Sequence, residues 1–512
     1  MSLADRSGIF IASQRGAPLA VFFFGLLVGV TPSWSISLWT DEAVTISAAE
    51  RSPAQLLGLL SNIDAVHGAY YFLMYGWVQL TGIGAVGLRF PSAVALAGTC
   101  VGVLFLVRRL ATPSTAITAS AVAALLPRLA WAGIEARPFI FSALAAVWST
   151  WALVRAWQAG SKRLPWVAYT LLAIAAVFFN IYLVFLVAGH GVTLAVRRSP
   201  RRVWIGWAVS TAVTAAATLP FLALVRSQQS QLGTGGDRNP LSLLRKVLVN
   251  QLYLGETPND AALPSLFGIA WQAAAILLGL SGAVIMALAI LRPARPGDMK
   301  RELLAVALPW LALPTVAIAL YAIIVAPVYQ PRYFTFTAPA AAVLIALGLR
   351  SLRRRLAVVI GAICLIGCLI VLASQRTPFS KSGSDWSAAA AIVGEYAQPG
   401  DAVYFSPRYD ASLVSLTARR IAEAYPGNFQ GLTDLTLRKT GAETDSLDGV
   451  SVQLSEVQNE LAGYAHIWML YGDRYPQNVV ADGKALIEEA GFDGSVRWSG
   501  PNVTVIEYTR RG

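Results

Sequence analysis

The sequence predicts an α-helical polytopic membrane protein carrying a small C-terminal α/β domain, and three observations predict it. First, 56% of the 512 residues are hydrophobic and only 13% are charged, with a mean hydropathy of +0.57. A soluble domain carries about 25% charged residues, so most of this chain belongs in lipid. Second, apolar runs alternate with arginine clusters. Third, the composition turns polar after about residue 375. The net charge of +12 could suggest nucleic acid, but arginine also fixes the orientation of membrane helices, and here it sits in the turns between apolar runs. No nucleic-acid partner is expected. Cys100, Cys364 and Cys368 all lie inside apolar runs, which gives no disulfide framework, and three histidines are too few for a His-rich metal site or a haem bundle.

An apolar run of about 20 residues spans a bilayer as a helix. The first, 17–38, follows the basic residues Arg6 and Arg15 and continues Thr31-Pro32-Ser33 with no small-residue cleavage site. It reads as an uncleaved anchor with its N-terminus in the cytoplasm. Further runs fall at 89–107, 112–130, 137–154, 164–180, 181–196, 203–225, 264–291, 303–328, 333–349 and 356–374, about eleven in all. The inner turns then carry Arg108 and Arg109; Arg155, Lys162 and Arg163; Arg197, Arg198, Arg201 and Arg202; Arg292, Arg295, Lys300 and Arg301; and Arg350, Arg353, Arg354 and Arg355. Every inner turn is basic, as the positive-inside rule requires. Residues 69–82 are apolar, but as a span they would invert everything downstream, so they read as a Tyr- and Trp-rich interfacial helix.

This topology leaves 39–88, 226–263 and 375–512 outside. Residues 1–375 form the multispanning unit, and 376–512 an outer domain. In the latter, helix-like stretches (386–396, 454–462, 480–490) alternate with strand-like ones (402–405, 466–470, 503–508). There is no internal repeat.

The membrane-proximal polar residues sort to the outer side: Asp41, Glu42, Asp64, His67, Tyr70, Glu135, Arg137, Asn180 and Arg332. Ionisable groups near a membrane are costly unless they face a cavity or a partner. Adjacent Asp41 and Glu42 can divide labour as base and orienter, or simply cap an interfacial helix. His67 can orient a carboxylate or sit in an interfacial belt with Tyr70. Glu135 and Arg137 either fasten two helices or serve chemistry. Asn180 caps an outer turn. Arg332, beside Tyr333, either snorkels to headgroups or forks onto a phosphate. Arg245 and Lys246 are second candidates for phosphate contact, or a solvated helix face.

The ordered set Trp39-Thr40-Asp41-Glu42, Asp64-x-x-His67-Gly68-x-Tyr70-Tyr71, Leu88-Arg89-Phe90-Pro91-Ser92-Ala93, Glu135-Ala136-Arg137-Pro138-Phe139 and Gln330-Pro331-Arg332-Tyr333-Phe334 spans roughly 15–375. It resembles the GT-C class of integral-membrane glycosyltransferases, in particular the protein O-mannosyltransferase-like and aminoarabinose-transferase-like group, and within it multispanning actinobacterial mannosyltransferases. The resemblance implies a polyprenyl-phosphate sugar donor, an extracytoplasmic acceptor (glycolipid, glycan or protein) and inversion at the anomeric carbon. It also implies Asp41 as the catalytic carboxylate, Glu42 as its neighbour, and Arg332 as the cation beside the donor phosphate. Where relatives follow the histidine with two prolines, this chain has Gly68-Ala69, which weakens any role carried over to His67.

The expected chemistry is proton removal from an acceptor hydroxyl by Asp41, with Glu42 and Asp64 supplying negative charge to an oxocarbenium-like transition state. No cofactor is required; a divalent cation (Mg or Mn) on Asp41 and Glu42 is the one candidate metal site. The resemblance favours mannose, with arabinofuranose as the alternative. Competing classes are a lipid or sugar transporter, a scaffold, and another lipid-linked transferase. A transporter would show mid-span charges and a repeat, which this sequence lacks.

Overall fold

The computed structural model describes residues 3–160, 162–229, 238–254, 265–293, 300–406, 418–472 and 477–512. Arg295, much of the 226–263 segment and the side chains of Arg6 and Arg15 lie outside the described residues.

The chain opens with α1 (Leu3–Val30), then the short helices α2 (Thr40–Ala49), α3 (Pro53–Asn62) and α4 (Gly68–Thr81). The bundle continues through α5 (Ala85–Leu110), α6 (Pro113–Leu125), α7 (Pro127–Gly133), α8 (Phe139–Gln158), α9 (Leu164–Phe179), α10 (Leu183–Val196) and α11 (Arg201–Ser227). The short α12 (Pro240–Arg245) precedes α13 (Ser265–Leu291), α14 (Lys300–Ile324), α15 (Ala338–Arg350) and α16 (Arg354–Ser374). Among the described residues, eight helices are long and apolar enough to cross a membrane, or nine if the bent pair α6–α7 is one span. The remaining expected runs are α9 and α10, apolar but only 16 and 14 residues long.

Three expected spans differ in detail. The 112–130 run is broken by a 61° bend, because Pro127 drives Leu126 into extended backbone (φ −66°, ψ 118°). The first span ends at Val30 rather than Leu38, just before Pro32. The run at 333–349 starts as a 3₁₀ segment, Pro331–Thr337, before α15 begins.

Opposite chemistry gathers at opposite ends of this bundle. Arg109 Nη1 donates to Gln158 Oε1 at 3.1 Å, Arg197 pairs with Glu302, and Arg292 Nη1 donates to the Ser351 carbonyl at 2.6 Å. These contacts draw the arginine-rich turns together. On α5, Arg89 contacts Glu42 while Arg109 contacts Gln158. Twenty residues of helix separate the two ends by about 30 Å.

The C-terminal unit holds α17 (Trp386–Tyr396), β1 (Ala402–Ser406), α18 (Arg420–Ala424), β2 (Thr433–Asp434), β3 (Leu437–Lys439), β4 (Val450–Ser451), β5 (His466–Gly472), α19 (Gln477–Glu489), β6 (Phe492–Ser499) and β7 (Val503–Arg510). Its five-stranded sheet runs β2-β1-β5-β7-β6, parallel across β2, β1 and β5 and antiparallel across β7 and β6. Residues 454–463 form a 3₁₀ rather than an α-helix; Leu454 and Val457 face the core three residues apart, as that winding allows. Strand β6 escapes a sequence reading because it is an edge strand exposed along most of its length, with no apolar alternation.

The unit leans on the chain that joins α1 to α2. Tyr425 Oη accepts from Leu38 N at 2.7 Å, Ser384 Oγ donates to the Leu38 carbonyl at 2.6 Å, and Ser37 N donates to the Pro378 carbonyl at 2.8 Å.

Close packing of α1 on α5 depends on glycine. A Cβ on Gly29 would stand 2.7 Å from Ala93 Cα. Gly29→Leu is expected to destabilise the detergent-solubilised protein by about 1–3 kcal/mol through overpacking. Gly361→Leu, where nothing lies within 4 Å, serves as the neutral control in the same unfolding assay.

Candidate active site

Helix α2 begins at Thr40 with both carboxylates in its first turn, where the positive end of the helix dipole favours them. Consecutive helical residues point about 100° apart, so Asp41 and Glu42 cannot share one environment. Asp41 is partly open, with a side chain 20% exposed. Arg332 Nη1 donates to its Oδ2 at 3.0 Å, Arg137 Nε stands 3.7 Å from the same oxygen, and Arg137 Nη1 donates to the Asp41 carbonyl at 3.2 Å. Burial raises the Asp41 pKa, but the guanidinium of Arg137, then that of Arg332, outweighs it and holds the carboxyl below its ordinary 3.8.

Glu42 is fully buried. Arg89 grips it bidentately, Nε to Oε1 at 2.8 Å and Nη2 to Oε2 at 2.6 Å, and Ala136 N donates to Oε1 at 3.0 Å. Lys381 Nζ, also fully buried, lies 4.0 Å from Glu42 and 3.9 Å from Glu135, and 4.4 Å from the Trp131 ring centroid. Burial disfavours a charged Glu42, yet Arg89 and then Lys381 overcome it and the net shift is downward. With both oxygens committed and no exposed surface, Glu42 is a positioning residue: it ties the start of α2 to α5 and to the 135–137 turn. The expectation of a second carboxylate facing substrate is corrected on this ground.

Arg137 extends the cluster. Its Nη1 lies 3.3 Å from Tyr71 Oη, which donates to Asp64 Oδ2 at 2.8 Å. Asp64 is therefore one hydroxyl removed from Asp41's partner, on a left-handed backbone (φ 60°). His67 is buried, and its Nδ1 has no hydrogen-bond partner among the described residues. Burial, reinforced by Arg137, depresses its pKa well below 6.5, so it is neutral. Tyr70 is buried against Phe141, with ring centroids 5.5 Å apart.

Arg332 projects from the 3₁₀ segment. Its guanidinium carbon is 5.8 Å from the Phe139 ring centroid and 5.5 Å from that of Tyr333. Asn180 Nδ2 donates to the Tyr333 carbonyl at 2.8 Å, fastening the outer α9–α10 turn to this segment. Glu135 joins through Lys381 and through its carbonyl, which accepts from Ser92 Oγ at 2.6 Å. Arg245 is exposed at the end of α12 and Lys246 half-buried; no hydrogen bond or ion pair joins either to the cluster among the described residues.

Sequence reading missed Arg89 and Lys381 as site-organising residues. Arg89 left a signal, being a cation in the opening turns of an apolar run, which demands a buried partner. Lys381 left none, because it follows the last span in a polar stretch. A divalent cation fits poorly here. Glu42 is spent on Arg89, two guanidiniums crowd Asp41, and no group of three or more His, Cys, Asp or Glu side chains suits a metal among the described residues. The candidate metal site on Asp41 and Glu42 is corrected accordingly.

No family model matches the chain, and no curated protein matches it. Among solved structures, ArnT from Cupriavidus metallidurans in the apo state aligns over 99% of this chain and 98% of its own, with a TM-score of 0.57 and 11% identity. The same protein bound to undecaprenyl phosphate gives a TM-score of 0.56 at 12% identity, again over 99% and 98%. The chain has the GT-C fold. An Archaeoglobus fulgidus oligosaccharyltransferase tethered to an acceptor peptide containing the NVT sequon gives 0.50 at 12% identity, covering 97% of this chain and 74% of that one. In this chain, Asp41 and Arg332 meet although 291 residues separate them.

Breaking the buried Glu42–Arg89 pair should cost about 3–5 kcal/mol, because one charge is left without its partner in a dry site. Glu42→Leu is therefore expected to unfold far more readily than Asp41→Asn, whose part-exposed ion pairs are worth about 0–1 kcal/mol. Denaturant unfolding of both variants in the same detergent tests this; equal losses would remove the distinction between the two carboxylates.

Proposed function

We propose that this protein is an inverting glycosyltransferase that moves a monosaccharide from a polyprenyl-phosphate donor to an extracytoplasmic cell-envelope acceptor. Mannose is the favoured sugar, on resemblance, with arabinofuranose the alternative. Residues 1–375 are the catalytic unit and 376–512 an outer domain, the N-terminus lying in the cytoplasm. The observation that carries the reading is the 3.0 Å contact between Arg332 and Asp41 in a cluster with partial access to solvent. It unites the two groups this chemistry needs, an acceptor-activating carboxylate and a cation for a phosphate leaving group. Support also comes from the fold shared with ArnT, whose structure binds undecaprenyl phosphate. A mostly apolar cavity of about 220 Å³ between α13 and α14, with Gln251 in its wall, offers room for prenyl chain.

The mechanism follows from the charges. Without donor, Asp41 is held by Arg137 and Arg332 and is a weak base. A donor phosphodiester draws Arg332 onto its oxygens, since a guanidinium forks well onto phosphate. Asp41 loses one of its two cations and gains basicity where the acceptor must be deprotonated. The acceptor oxygen then attacks C1 and its proton passes to Asp41. The bond from C1 to the phosphate oxygen breaks, and polyprenyl phosphate leaves with the electron pair, its new charge met by Arg332. A phosphate leaves without a general acid, consistent with a neutral His67. Arg137 stays with Asp41 and, through Tyr71, with Asp64.

Asp41→Asn should lower transfer about 10²–10⁴-fold while leaving folding intact; near-normal turnover with decaprenyl-phosphate mannose and arabinofuranose would end the assignment. Arg332→Ala should raise the donor KM, read from transfer against donor concentration. Because free Asp41 titrates below 3.8, kcat/KM should hold its plateau as pH falls to that value, the carboxylate being lost only below it. An acid limb near neutrality would make another group the base. Transfer should persist in chelator.

A further inference from the structure

A second cavity, of about 430 Å³, opens between the C-terminal end of α2, helix α3 and the outer domain. Its volume is in the range of small-ligand sites. Four carboxylates enter its wall: Glu50, Glu423, Asp434 and Asp448. Most of the nearby cationic capacity is committed. Arg419 Nε donates to Asp434 Oδ2 at 2.6 Å and Nη1 to Ser451 Oγ at 2.8 Å. Arg420, behind the wall, donates to Glu423 Oε2 at 2.6 Å and Asp448 Oδ1 at 2.5 Å.

Two wall groups are left over. Arg51 is 3% exposed, and it spends Nε on the Ser47 carbonyl (3.2 Å) and Nη2 on the Ser446 carbonyl (2.5 Å). Its Nη1 is buried with no hydrogen-bond partner among the described residues, a costly state unless something fills it. The Glu50 carboxylate, on the neighbouring residue, is solvent-exposed and has no hydrogen bond or ion pair among the described residues, and partial burial raises its pKa. The Phe405 and Phe429 rings, 5.7 Å apart, add an apolar surface.

We propose that this cavity binds a neutral saccharide, a part of the acceptor held away from the bond-forming centre. A sugar hydroxyl is both donor and acceptor, so neighbouring hydroxyls can give protons to Glu50 and accept from Arg51 Nη1. A ring C–H face would meet the edge of Phe429, the less buried of the two phenylalanines. Four carboxylates against the three guanidiniums of Arg51, Arg419 and Arg420 disfavour an anion such as phosphate, in contrast to the cation-rich surroundings of Asp41. Glu50 lies nine residues along α2 from Asp41, about 13 Å of helical rise. The acceptor role rests on the proposed glycosyl transfer; the saccharide site itself does not.

The test is direct binding by the full chain in nanodiscs, using calorimetry or saturation-transfer NMR with neutral manno- and arabino-oligosaccharides as probes. The parent and Asp41→Asn should bind alike. Glu50→Gln, which removes one charge-assisted acceptor, should weaken binding about tenfold, or 1.4 kcal/mol. Ala422→Trp, which fills the cavity, should abolish it. No binding by the parent, binding indifferent to both variants, or displacement of the saccharide by inorganic phosphate would each overturn the proposal. Retained turnover in Asp41→Asn would sink the transfer mechanism and leave the binding result standing.

Discussion

Burial of Glu42 against Arg89 is the constraint from which the rest of the site follows. The pair is dry, bidentate and shared with the Ala136 amide. The same guanidinium donates to the carbonyls of Ser33, Ile36 and Ser37. One side chain of α5 therefore fixes the chain leaving α1 and the first turn of α2. Once Glu42 points inward, helical geometry turns Asp41 toward the opening, where Arg137 and Arg332 meet it. The cost of desolvating two ions is offset only because nearly every polar atom of the pair has a partner.

The cluster around Asp41 is poised rather than relaxed. Two guanidiniums on one carboxylate oxygen repel each other, and each has another engagement: Arg137 at Tyr71, Arg332 beside the rings of Phe139 and Tyr333. In the proposed mechanism an arriving phosphate competes for Arg332, the more exposed of the two, so that donor binding and activation of the base become one electrostatic event. Uncharged Tyr71 and neutral His67 complete the surroundings without adding a competing charge.

The C-terminal unit is built into this arrangement. Residues Gln375, Ser380, Lys381 and Asp385 are fully buried, so the segment leaving α16 packs beneath the first outer loop and carries Lys381 between Glu42 and Glu135. The parallel strands β2, β1 and β5 face the same loop through α18 and Tyr425. Helix α2 thus belongs to two environments, a cationic one at its first turn and a carboxylate-rich one at its last.

Much of the architecture was legible without coordinates, because membrane insertion is governed by local composition. Apolar length sets each helix, and the helix α4 and the change of character after α16 stand where the composition placed them. Strand β6 and the break at Pro127 were harder, one lacking alternation and the other hidden in an apolar run. The sequence could also bring Asp41, Arg137 and Arg332 to one side of the membrane. It could not say that adjacent Asp41 and Glu42 have opposite fates, that Arg89 and Lys381 organise the interior, or that Arg245 and Lys246 stand apart. Sidedness is a property of segments and is written in their composition; contact is decided by helix rotation and by packing between residues hundreds of positions apart, which only the tertiary structure specifies.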